Sequence, residues 1–160
     1  MKLFKKSIII PIILIGIIII AAVIMHPKPE AFNKTFNDSF VTTDLKNTSK
    51  NSTIIINANL SERYSLQHFN IEKILVGNIT IDNKKYILSG YNYGSVTNNV
   101  LFGEIKEKST DKTPIYIFYM FDNLSSIYLS SFDTKQYIAA PAKTINDFET
   151  LREKIERKGN

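Results

Sequence analysis

The side chains equipped for acid–base or covalent chemistry are few in this 160-residue chain, and they do not cluster. There are two histidines, His26 and His68, and no cysteine. His68 could act as a general base only if the fold brought a hydroxyl and a carboxylate to it, and no nucleophile-elbow spacing surrounds it. The lack of cysteine removes thiolate catalysis, disulfides and Cys-ligated metals. Zinc needs three or more good ligands, and two histidines do not supply them in any recognisable spacing. Acidic calcium-loop spacing and a phosphate-cradling Gly-x-x-x-x-Gly-Lys are also missing. The nearest approach to a carboxylate pair, Glu104 and Glu107, would point to opposite faces of a strand. The sequence therefore assigns no catalytic residue, no metal site and no cofactor.

One stretch does have the composition of a binding surface. In Gly90-Tyr91-Asn92-Tyr93-Gly94 the two tyrosines would share a side if the chain is extended, and the flanking glycines permit unusual backbone angles. Exposed Tyr91, Asn92 and Tyr93 together suit a glycan or protein partner. The competing reading is that these tyrosines are sheet residues packed at a core or an edge.

What holds these residues in place begins at the membrane. Ile8 to Met25 is a run of eighteen residues without a charge, preceded by Lys2, Lys5 and Lys6. As a helix it would be roughly 27 Å long, enough to cross the hydrocarbon of a bilayer with its backbone satisfied. The run is longer than the apolar core of a cleaved signal peptide and ends in no small-x-small site, so an uncleaved signal anchor is expected; cleavage is the alternative. The lysine flank places residues 1–7 in the cytoplasm and everything after residue 25 outside. Those three lysines also account for three of the five net positive charges. The rest of the chain is nearly balanced, without the basic face that a nucleic-acid binder needs. Abundant Ile, Asn and Lys is the bias of AT-rich coding, as in low-GC Gram-positive bacteria and their phages.

Residues 26–52 are polar and read as a juxtamembrane stalk. Within them Phe32, Phe36 and Phe40 recur at i, i+4, i+8, the spacing of one face of a short helix. It would lie on the membrane, grip a partner or fold back onto the domain as a flap. From Thr53 the period becomes two. Strands are expected over 53–60, over 69–81 as one bent strand or two with Gly77 as a bulge or bend, and in a hairpin from Ile79 to Leu88 around Asp82-Asn83-Lys84-Lys85. Further strands follow over 100–105, 115–121, 127–131 and 137–140, and Ser61 to Tyr64 reads as a turn or one helical turn. After Pro141, Thr144 and Asp147 have the spacing of a capping box, and Ile145, Phe148, Leu151 and Ile155 make one apolar stripe of a C-terminal helix.

The expected fold is α+β and mainly β: a transmembrane helix over 8–25, then a domain over 53–160. That domain would be an antiparallel meander of about six or seven strands, a curved sheet or partly open barrel, with one C-terminal amphipathic helix. The expected function is a membrane-anchored extracytoplasmic binding or accessory protein of the bacterial envelope, of immunity type or similar, with an envelope protein or glycan as partner. A hydrolase acting on an envelope substrate is the alternative.

Overall fold

The computed structural model describes residues 11–21, 28–43, 46–65, 70–92 and 100–158, and of residues 46–50, 63–65, 70 and 158 the backbone alone. Of the apolar run 8–25, residues 11–21 are described, and they form helix α1. Among the described residues no helix is long and apolar enough to cross a membrane. The basic residues 1–7 lie outside the described residues.

Eight antiparallel strands in sequence order close into a barrel: β1 (Glu30–Thr43), β2 (Lys46–Ser65), β3 (Asn70–Ile81), β4 (Lys84–Asn92), β5 (Leu101–Lys106), β6 (Tyr116–Phe121), β7 (Ser126–Ser131) and β8 (Gln136–Ala140). Helix α2 (Ile145–Lys158) follows. The mainly β meander with a C-terminal helix is therefore as read from sequence, but there is one more strand than expected and the barrel closes. The additional strand is β1, from the polar stretch read as a stalk. Phe32, Phe36 and Phe40 lie on it, because even spacing fits the strand period of two as well as a helical face. Its last residues pair with β8, Phe40 to Thr43 against Ala139 to Gln136, and this pairing closes the barrel.

β1 changes phase midway. Phe36 pairs with Ile54 and Ser39 with Ser52, so β1 spends one more residue than β2 between the two pairs. Such a bulge reverses which side chains face inward. Phe36 and Val41 lie in the interior cluster, whereas Phe40 lies in a second cluster beneath α2. The inward Ser39 is satisfied within the bulge, where its hydroxyl donates to the Ser52 carbonyl, and the Ser52 hydroxyl donates to Asp82 Oδ1 at 2.7 Å.

Three other local readings change. Ser61 to Tyr64 is no turn but part of β2, held in register with β3 by opposed charges: Glu62 faces Lys73, with 3.1 Å between carboxylate and ammonium. Gly77 makes no bulge, since β3 pairs without interruption on both sides. A Cβ at Gly77 would collide with the Ala58 backbone, so glycine is required for close approach of β2. Gly90 likewise serves space and not backbone freedom, as no described glycine has positive φ. It faces Gly103 across β4 and β5, and the pair leaves room for the Phe118 ring. The hairpin forms as expected, but its turn is only Asp82 and Asn83, both at positive φ (48° and 66°) as in a two-residue turn that matches strand twist, and Lys84 and Lys85 already belong to β4.

The interior is filled. Ile54, Ile56, Leu75, Ile79, Leu88, Leu101, Ile105, Phe118, Met120, Ile127 and Leu129 are fully buried there, as fits a barrel of eight strands. At the end opposite the start of β1, Tyr86 and Tyr116 meet edge to face, and the Tyr116 hydroxyl donates to Gln136 Oε1 at 2.8 Å. Burial first, then the neighbouring Tyr86 and Asp82, raise the Tyr116 phenol above its ordinary range, against the opposing pull of Lys84.

The candidate binding groove on the outer wall

Because the interior holds side chains, a ligand has to be met outside. Cross-strand register lines up one row on the outer wall: Ile74 faces Tyr91, Tyr91 faces Phe102, Phe102 faces Tyr119, and Tyr119 faces Tyr128. Tyr91 and Phe102 meet edge to face with ring centroids 4.6 Å apart. Tyr91 is 40% exposed, while Tyr128, at the other end of the row, is buried. The aromatic row thus starts in the open and ends under α2.

That helix is placed by its sequence. Its capping box forms as expected: the Asp147 amide donates to Thr144 Oγ1 at 3.2 Å and the Thr144 amide donates to Asp147 Oδ2 at 3.0 Å. The Lys143 amide also donates to Asp147 Oδ2, and these bonds, with that of the Thr144 hydroxyl, hold the carboxyl below its ordinary range. Phe148 is fully buried and packs on Phe40 and Tyr128, at 5.9 and 5.7 Å between centroids. Lys154 reaches Asp122 in the β6–β7 turn at 2.8 Å. Phe148 and Leu151 seat the first half of the helix, and its later turns stand over the wall of β6, β7 and β8.

Between them lies a groove of about 330 Å³ lined by Tyr119, Tyr128, Ser130, Tyr137, Arg152, Ile155 and Glu156. This is the lower end of the size range of small-molecule sites and ample for one anchoring side chain. Burial chiefly, then Tyr137, drives the Tyr128 phenol far above its ordinary range; Arg152 opposes this and Glu149 and Glu156 add to it. Tyr128 is therefore a neutral hydroxyl at any physiological pH. Arg152 carries the groove's positive charge. Its terminal nitrogen pairs with Glu149 at 2.8 Å, but its Nε is shielded from solvent and has no hydrogen-bond partner, the Glu156 carboxylate standing 3.6 Å away. A buried donor without an acceptor is costly, and an incoming oxygen would relieve it.

The residues singled out from sequence are distributed differently. Tyr91 lies on the outer row. Asn92, the next residue along β4, is buried and borders a small hollow with Lys73, Leu101, Asn123 and Leu124. Alternation along the strand therefore separates the two, and Tyr93 lies outside the described residues, as do His26 and His68. Glu104 and Glu107 are engaged in separate surface ion pairs, with Lys106 and Lys84, each at 2.9 Å. Among the described residues no group of three or more His, Asp or Glu could hold a metal ion. The groove was not read from sequence. Its one trace is the recurrence of tyrosine at 119, 128 and 137, which acquires meaning only once the β6–β7 and β7–β8 registers are known. Comparison with known proteins adds no relative: no protein-family model, curated protein or solved structure matches the chain.

Proposed function

We propose that the chain is a single-pass, membrane-anchored binding protein of the bacterial cell envelope. Residues 8–25 sit in the bilayer, the N-terminus is cytoplasmic, and the barrel is held outside. An accessory or immunity-type protein of this kind takes a polypeptide partner in the groove between α2 and the barrel wall. The membrane reading is supported by the eighteen-residue apolar run and its lysine flank. It is also supported by α1, where Ile12, Ile13, Leu14, Ile15 and Ile17 to Ile20 are each more than half exposed, on every side of the helix, and join neither apolar cluster.

The observation that carries the binding reading is the Arg152 Nε, a donor shielded from solvent at the end of a tyrosine row and held only by a long, 3.6 Å contact with Glu156. Tyrosine and arginine are the residue types that dominate the energetics of protein interfaces, and a backbone or side-chain carbonyl is the acceptor that such a donor would take. The site contains phenols, a serine and an ion pair, which is equipment for recognition. A photo-crosslinking amino acid placed at Tyr119 in the full chain, in living cells, tests this. A discrete polypeptide adduct that is lost with Arg152→Met supports the reading; the lack of any adduct, or an adduct to wall glycan only, contradicts it.

A further inference from the structure

The start of β1 at Glu30 changes what the tether can do. Four residues, 26–29, separate the end of the apolar run at Met25 from the first barrel strand, and even fully extended they span about 17 Å. No long stalk remains. The barrel must therefore sit with the end at which β1 begins turned toward the bilayer, and that end is uneven. The row of paired residues that leaves β1 at Glu30 runs through Leu60, Leu75, Gly90, Gly103, Phe118, Leu129 and Ile138, and returns to β1 at Val41, well up the strand. Strand tilt thus lifts β5 to β8 away from the membrane side. The β2–β3 hairpin does the opposite. It continues below the Leu60–Leu75 pair to the Ser65–Asn70 pair, a further ~15 Å along the strands, comparable to the reach of the tether.

On that overhang Ile71 is 59% exposed, the most exposed large apolar side chain outside α1 among the described residues. Beside it Glu62 and Lys73 form an ion pair at 3.1 Å, and Glu72 is buried. An exposed isoleucine beside an internally paired Glu62–Lys73 can be buried at the acyl boundary of a bilayer. We infer that the β2–β3 hairpin is a second membrane contact. It rests on the bilayer through Ile71, fixing the barrel's tilt and holding the α2 groove sideways and clear of the lipid. This rests on the anchor reading proposed above.

The chain contains no tryptophan and no cysteine, so single reporters can be placed cleanly. The full chain is reconstituted in phosphatidylcholine–phosphatidylglycerol vesicles with Ile71→Trp, and in parallel with Phe132→Trp. Phe132 is 55% exposed and follows the end of β7, which runs parallel to β1, so it marks the opposite end of the barrel. Lipids brominated near the headgroup should quench and leave blue-shifted the emission of Ile71→Trp, and leave that of Phe132→Trp unchanged. A spin label on Ile71→Cys, read by its accessibility to oxygen against a water-soluble nickel complex, gives the same answer with a smaller side chain. If the chain floats with vesicles and both reporters at Ile71 behave as in water, the hairpin contact is wrong and the anchor stands. If the chain does not float, the anchor reading fails and takes the contact with it.

Discussion

The inside and the outside of the barrel wall are built from the same strands yet do different work. The interior cluster is aliphatic and aromatic and close-packed, from Ile54 through Phe118 to Leu129. Outward residues on β6, β7 and β8 include Tyr119, Phe121, Tyr128, Ser130, Tyr137 and Ala139, partly covered by a helix that leaves a groove. The contrast separates the side that supplies stability from the side to which recognition is assigned in our proposal. A single bulge in β1 serves both, turning Phe36 inward and Phe40 outward to receive Phe148.

The comparison can be broken most severely from inside. Phe118→Ala, at a fully buried ring, should lower the unfolding free energy by about 3–5 kcal/mol in denaturant titration. A loss under 1 kcal/mol would mean that the interior is looser than its packing shows. Next comes Gly103→Ala. If glycine were there only for backbone freedom, alanine at negative φ would stabilise by about 0.4–1 kcal/mol. Because its Cβ would strike the β4 backbone and the Phe118 ring, a loss of about 1–3 kcal/mol is expected instead.

Outside, the effects are smaller and separable from binding. Thr144→Ala removes half of the capping box and should cost about 1 kcal/mol. The Asp147 half is tied to pH: its folded-state carboxyl lies below the ordinary value, so its contribution is complete above the unfolded pKa and fades as pH falls through the folded one. Wild type and Asp147→Asn should accordingly differ in melting temperature at neutral pH and converge in acid. Tyr128 has the opposite sign. Its phenol is raised, so its share of stability is complete below pH ~10 and is lost as pH rises beyond. Ultraviolet titration should therefore show tyrosines, Tyr128 and Tyr116, that ionise late, and Tyr128→Phe should remove the later of them. Arg152→Met should change stability least, within about 0.5 kcal/mol, while abolishing partner capture.

Much of the barrel was legible in the sequence because a half-buried strand writes its period directly. Ile54, Ile56 and Ala58 share one face with Ile55, Asn57 and Asn59 on the other, Asp82-Asn83-Lys84-Lys85 has turn chemistry, and Thr144 with Asp147 announces the helix. β1 was hidden by composition: its stretch is polar, and its phenylalanines are spaced by four, a number that both periods accommodate. Closure is a tertiary fact resting on four pairs between β1 and β8, residues far apart in the chain. The groove was illegible for the same reason. Tyr119, Tyr128 and Tyr137 become neighbours through hairpin register, and Arg152 joins them only because Phe148 fixes the rotation of α2. Tyr91 and Asn92, adjacent in sequence, are parted by the alternation of the strand that holds them.

The most direct test of outer-wall recognition is hydrogen exchange of the full chain, alone and bound to the partner captured through Tyr119. The expected result is added protection confined to β6, β7, β8 and α2, with β3 and β4 unchanged. Protection concentrated in the hairpins at either end of the barrel, or none in α2, would contradict recognition in the groove.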